Sequence, residues 1–198
     1  MKKFNIAAAV QQPEEDWIIA TAKRVLEREG KAIAELIGRP LSYTEGISFK
    51  INENDEGVAH CIGKEITLFR KYFGPRPWDV QGAVVHELTH AIQRGSKYDG
   101  DFVWMVEGIA DFVRHKLGYG IIRDGDPRLS YGHAAGFYNW MYNLPNDKQK
   151  TYYAFVKDVT DGIRPAKLDA LLKEYNSGAP KQANDNTGKP PANKPPRM

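Results

Sequence analysis

Between positions 14 and 37, apolar residues recur every three to four positions. Ile19, Ala22, Leu26, Ile33 and Ile37 share one face of a predicted helix, with charges opposite. Gly38 and Pro40 end the pattern, since glycine closes a helix readily and proline cannot continue one. The period then changes to two. In GISFKI, Ile47, Phe49 and Ile51 fall on one side of a strand. NENDEG reads as a turn, and VAHCI and EITLF as a hairpin across Gly63-Lys64. Glycine at the first central position suits a type II′ turn.

GPRPWD breaks the strand region and leads into a helix containing VVHELTHAIQ, residues 84–93, with Asp79 as its predicted N-cap. After the loop SKYDGD, a second helix spans Val103 to Leu117 and stops at Gly118. GHAAGFYNWMYNL is a third, ending before Pro145. KQKTYYAFVKDV and PAKLDALLKEY are two more, the latter with Pro165 near its start. Residues 177–198 hold five of the twelve prolines and almost nothing apolar, and are expected to be a disordered tail. No internal repeat is visible. The pattern divides the chain into an N-terminal segment (1–12), one α+β domain (13–176) and the tail. In that domain a small, mainly antiparallel sheet lies beside the histidine-bearing helix.

Composition narrows the class. The chain is 41% hydrophobic and 27% charged, as in globular domains. No apolar run approaches the roughly 18 residues of a membrane span. The single cysteine, Cys61, excludes an intrachain disulfide. The net charge of +3 resides in the tail, where Lys181, Lys189, Lys194 and Arg197 face one Asp185. A neutral body with a thinly basic tail argues against a nucleic-acid partner. MKKFNIAAAV resembles a signal peptide, but its apolar stretch is broken by Asn5 and followed by Gln11, Gln12 and Pro13, so it is read as a non-signal or a remnant. No coiled-coil seam is present, and a monomer is the default expectation.

The chemistry resides in HELTH. On a helix, residues four apart differ by about 40° in direction and one turn in height, so His86 and His90 aim at a common point. They are two of the three protein ligands of a catalytic zinc, whose fourth position is left for water. Glu87 points about 100° away from His86 and serves instead as base toward that water. Three fixed residues in five are a weak signal alone, and a packed polar stripe is the plain alternative. Glu107, seventeen residues after His90 on the next predicted helix, is a third ligand. Asp111, one turn along on the same face, can accept the free ring N–H of a ligating histidine.

VVHELTHAIQ together with VEGIADFVRHKLGY resembles the plant basic secretory protein family and its bacterial relatives, zinc metallopeptidases of the HExxH superfamily. The resemblance extends back through GVAHCIGKEITLFRKYF and forward to YGHAAGF, roughly residues 46 to 142. It implies a zincin-like domain, Zn2+ as cofactor, and a peptide or protein substrate. It also implies His86, His90 and Glu107 as zinc ligands, Glu87 as general base, Asp111 behind a ligand, and Tyr131 as a stabiliser of the tetrahedral oxyanion. It points to secretion or a periplasmic location, against which the absence of a clear signal sequence leaves the cytoplasm as alternative.

Other readings stay open beside this one. A zinc-binding module without turnover that holds peptide or polysaccharide, or a domain with no metal, fits the same residues. Tyr131 is equally an ordinary tyrosine. His60, His115 and His133 read as structural or exposed, with His133 a second candidate for the oxyanion. Cys61 reads as a small core residue and Gly108 as a site of close helix packing. EITLF is the strand expected to border the cleft and to pair with an extended peptide.

Overall fold

Asp16 accepts the Ile18 N–H at 2.8 Å, an N-cap that starts helix α1 (Trp17–Leu36). A computed structural model describes residues 16–54 and 56–178, and its architecture is α+β. After α1 come a 3-10 turn (Leu41–Thr44), strands β1 (Ser48–Asn52), β2 (Ala59–Ile62) and β3 (Glu65–Phe69), and a one-turn helix α2 (Arg70–Phe73). A second 3-10 turn (Pro77–Asp79) precedes α3 (Val80–Gln93), α4 (Phe102–Lys116), α5 (Tyr131–Tyr142), α6 (Asn146–Thr160) and α7 (Leu168–Gly178). The predicted tail thus begins inside α7; the rest of it, and segment 1–12, lie outside the described residues. Among the described residues no helix is long and apolar enough to cross a membrane.

The expected mainly antiparallel sheet is mixed instead. Its order is β1-β3-β2, with β3 parallel to β1 and antiparallel to β2. The hairpin is as predicted: Ile62 pairs with Glu65, and Gly63 has φ +62 whereas Lys64 has no positive φ, the type II′ signature. The connection from β1 to β2 arches over the end of β3, where the Phe69 N–H reaches the Val58 carbonyl at 3.1 Å. Gly57 (φ +151) makes that crossing possible, because a Cβ there would stand 3.0 Å from the Phe69 ring. β3 therefore lies in the middle of the sheet, and the expectation that EITLF is the open edge is corrected: the edges are β1 and β2.

α3 packs against α1, β2 and α4. Val80, Val84, Leu88, Ala91 and Ile92 bury its inner face. The core face of α1 is Ile18, Ala22, Val25, Ile33 and Ile37, so Ile18 and Val25 replace the predicted Ile19 and Leu26. Asp79 occupies the N-cap position of α3 but makes no cap bond. The 3-10 turn runs directly into the helix, and the carboxylate binds the Tyr72 hydroxyl (2.7 Å) and Arg114 (2.8 Å) instead. Pro165 opens the turn before α7 rather than its first turn, its carbonyl accepting the Leu168 N–H at 3.1 Å. α4 and α5 approach closely at Gly108, where a Cβ would lie 2.6 Å from that of Ala134. Gly108 serves the close helix packing expected of it.

Candidate metal centre and active site

Two helices bring the predicted residues together. α3 presents His86 and His90, whose Nε2 atoms are 3.0 Å apart. α4 crosses α3 and places Glu107 Oε2 3.0 Å from His86 Nε2 and Oε1 3.6 Å from His90 Nε2. One donor atom from each of the three residues lies within 4.8 Å of the others, the convergence a cation site requires. Two imidazoles and a carboxylate, with Glu107 only 4% exposed, are a donor set suited to zinc.

The outer nitrogens of both rings are held. His86 Nδ1 meets Asp111 Oδ1 at 2.9 Å, the contact expected for Asp111. His90 Nδ1 meets Gln93 Oε1 at 2.8 Å, a partner the sequence reading missed. Gln93 is buried, and its Nε2 donates to the Val106 carbonyl at 3.2 Å. Because a backbone carbonyl only accepts, the amide nitrogen must face Val106 and the amide oxygen must face His90. Both rings therefore donate from Nδ1 and turn Nε2 toward the centre, the tautomer a metal ligand needs.

Charge follows the same geometry. Burial opposes a charge on His86, but the bonds to Asp111 and Glu107 outweigh it and raise the ring to about 10. Burial likewise works against an ionised Glu107, yet the His86 and His90 rings hold its carboxyl well below the usual range. The imidazole and carboxylate thus stabilise each other's charge, and a cation bound between them would take the place of the proton they share. Glu87, 8% exposed, is pushed the other way: burial raises its carboxyl, partly countered by His86 and His90. Among the described residues no group hydrogen-bonds the Glu87 carboxylate, which is thus free to handle a proton.

A cleft of about 780 Å³ opens over these groups. Glu87 and the two histidines form its floor, and the outer edge of β2 forms one wall through Ala59, His60 and Cys61. Cys61 is half-buried, packs against the core and also lines this cleft, and burial beside Glu87 pushes its thiol up to about 12. Tyr131, the first residue of α5 and 45% exposed, stacks on His86 with centroids 6.5 Å apart and an interplanar angle of 28°. The structure adds a second phenol: Tyr98, on the loop between α3 and α4, donates to Glu107 Oε1. That loop carried no signal beyond its turn residues. His133 turns away to Ser130 Oγ (2.8 Å), and His115 holds the Gly120 carbonyl (3.1 Å), so both are structural.

No curated protein and no solved structure matches this chain. A family model does, described as peptidase of plants and bacteria, and it matches residues 13–175, more than four-fifths of the sequence. That span includes every residue of the cleft floor, so the geometry above is carried by the matched region: the chain belongs to the BSP family of peptidases of plants and bacteria.

Proposed function

We propose that this protein is a zinc-dependent peptidase of zincin-like fold, with His86, His90 and Glu107 as ligands and Glu87 as general base. The observation that carries the reading is the convergence of three donor atoms within 4.8 Å, both imidazoles having Nδ1 tied to an acceptor. Bound there, zinc supplies Lewis acidity, polarising a peptide carbonyl and making water acidic enough to react near neutral pH.

The protein's own residues do the rest. Glu87 takes a proton from the attacking water on a carboxylate oxygen and delivers it to the leaving amine nitrogen. Its buried position, which favours the protonated carboxyl, suits a group that must hold that proton between the two steps. Among the described residues no strand pairs with the outer edge of β2, and an extended peptide pairing there would cross the cleft floor. Tyr98 is engaged with Glu107 and its hydroxyl also meets that of Tyr131; Tyr131, on the rim and stacked on His86, is the phenol that would exchange this contact for the substrate oxygen.

The test is Glu87→Gln in the full chain. Elemental analysis should find one zinc per chain in wild type and variant, while turnover of a peptide library falls by roughly 10²–10⁴-fold, the usual share of a general base. Turnover equal to wild type would refute the role of Glu87. Absence of zinc above background in wild type would refute the metal centre. Stoichiometric zinc without turnover on any peptide would make the protein a binding module.

A further inference from the structure

The cleft continues past Asp111 and Tyr131 into a second cavity of about 630 Å³, and Asp111, Arg114 and Tyr131 border both. Two guanidinium groups, Arg114 and Arg123, line this cavity, and the one carboxylate among its lining residues, Asp111, is bonded to His86. The wall charges therefore sum to +1.

Arg114 is half-buried and held through its side chain, whereas Arg123 is exposed and held through its backbone. Arg114 donates to Asp79 (2.8 Å) and to the Tyr119 carbonyl (3.1 Å). It threads between two glycines: a Cβ on Gly82 would lie 2.9 Å from its Nε, and one on Gly120 3.1 Å from its Cγ. Arg123 is anchored through its backbone. Its N–H reaches the Gly132 carbonyl at 2.9 Å, and its own carbonyl lies where a Cβ on Gly136 would come within 2.3 Å. Its stem crosses Gly132, 3.6 Å from the position a Cβ would take. Yet the Arg123 guanidinium has no ion-pair or hydrogen-bond partner among the described residues. Ile121, 60% exposed, adds an apolar surface to the same cavity.

We propose that this cavity is a substrate subsite that receives a carboxylate on Arg123, with Arg114, already paired with Asp79, shaping the wall beside it. The planar fork of arginine matches a carboxylate bidentately, and Ile121 and Tyr131 flank the space an aliphatic stem would cross. A lysine in the same place would meet like charge. The carboxylate comes from an acidic side chain or from the C-terminus of the substrate. That the substrate is a peptide rests on the reading above; the carboxylate specificity does not.

The test uses the zinc-loaded full chain and peptide pairs that differ only by Glu or Gln at each position, made with a free or an amidated C-terminus. Cleavage is followed as kcat/KM, and equilibrium binding by fluorescence anisotropy on both wild type and Glu87→Gln. Glu should be favoured over Gln about tenfold at one position, or acid over amide at the terminus, with the preference shrinking as salt rises. Arg123→Gln should bring the ratio near one, and Arg123→Glu should favour a Lys peptide. The same charge loss at Arg24, exposed on α1, should leave the ratio as in wild type. A preference that survives Arg123→Gln, or none in wild type, overturns the subsite. Arg123-dependent binding without cleavage sinks the peptidase reading and upholds the subsite, whereas cleavage indifferent to charge does the reverse. An effect confined to the comparison of free with amidated termini assigns the carboxylate to the C-terminus, and one at an interior Glu assigns it to a side chain.

Discussion

Gln93 ties His90 to α4, and two substitutions there separate its grip on the ring from its part in the fold. Gln93→Leu removes the acceptor of the His90 Nδ1–H and the donor to the Val106 carbonyl. The carbonyl keeps its helical partner within α4, so that loss is about 1 kcal/mol. The His90 N–H is left without an acceptor in a mostly buried place, at about 1–3 kcal/mol. Leucine offsets about 1 kcal/mol by burying apolar surface, for a net loss of about 1–3 kcal/mol. Gln93→Glu keeps the acceptor for His90 but sets a buried carboxylate oxygen against the Val106 carbonyl, a penalty of several kcal/mol.

Metal affinity should run in the opposite order. Leucine frees the His90 ring and is expected to weaken zinc binding about 10–100-fold. Glutamate makes the ring more basic and adds negative charge near the ligands, so its zinc affinity should equal or exceed that of wild type. Urea denaturation in the presence of chelator measures the fold, and competition with a chromophoric chelator measures the metal. If zinc affinity falls in the same order as stability, Gln93 acts only through the fold and the tautomer reasoning is wrong.

Two further outcomes follow from packing and charge. Gly108→Ala gains about 1 kcal/mol of helix propensity but sets a methyl 2.6 Å from the Ala134 Cβ and 2.9 Å from the Tyr138 ring. Overpacking should dominate, giving a net loss of about 1–3 kcal/mol that Ala134→Gly partly restores; a raised melting temperature in the single variant would refute the close approach. Burial works against the Asp16 carboxylate, but its bonds to Arg70 and the Ile18 N–H outweigh that and lower its pKa below 3.8 in the folded protein. A depressed carboxyl stabilises above its unfolded pKa and loses that contribution as pH falls through the folded one. Asp16→Asn should thus be less stable than wild type by roughly 1 kcal/mol or less at pH 7, with the gap closing below pH 3.8; a gap constant with pH refutes the charged pairing.

What the sequence made legible is whatever short-range geometry determines. Four-residue spacing on one helix places His86 beside His90, and the same spacing on the next places Glu107 beside Asp111. The type II′ turn at Gly63 is equally local. Gln93 stood in the same ten residues, three after His90, and that spacing was the signal that could have found it. A neutral amide carries no mark of function until its neighbours are known. On α1 the predicted face is right at Ala22, Ile33 and Ile37 but one position off at two places. Ile18 and Ile19, like Val25 and Leu26, are apolar neighbours, and only tertiary packing decides which of each pair is more deeply covered.

Strand order was illegible for a different reason. A six-residue link can return beside β1 or cross over its end, and the choice depends on Gly57 passing the Phe69 ring, a contact twelve residues apart in sequence. This choice bears on function, because it makes β2 rather than β3 the outer edge and so turns His60 and Cys61 toward the cleft. Tyr98 and Arg123 reach the site from the segments that follow α3 and α4, each placed by contacts with the helix after it, while Tyr131 enters from the first turn of α5. The residues proposed to bind a cation and move a proton belong to two adjacent helices and can be read from spacing. The residues proposed to choose a substrate come from connecting segments, whose positions only the assembled fold supplies.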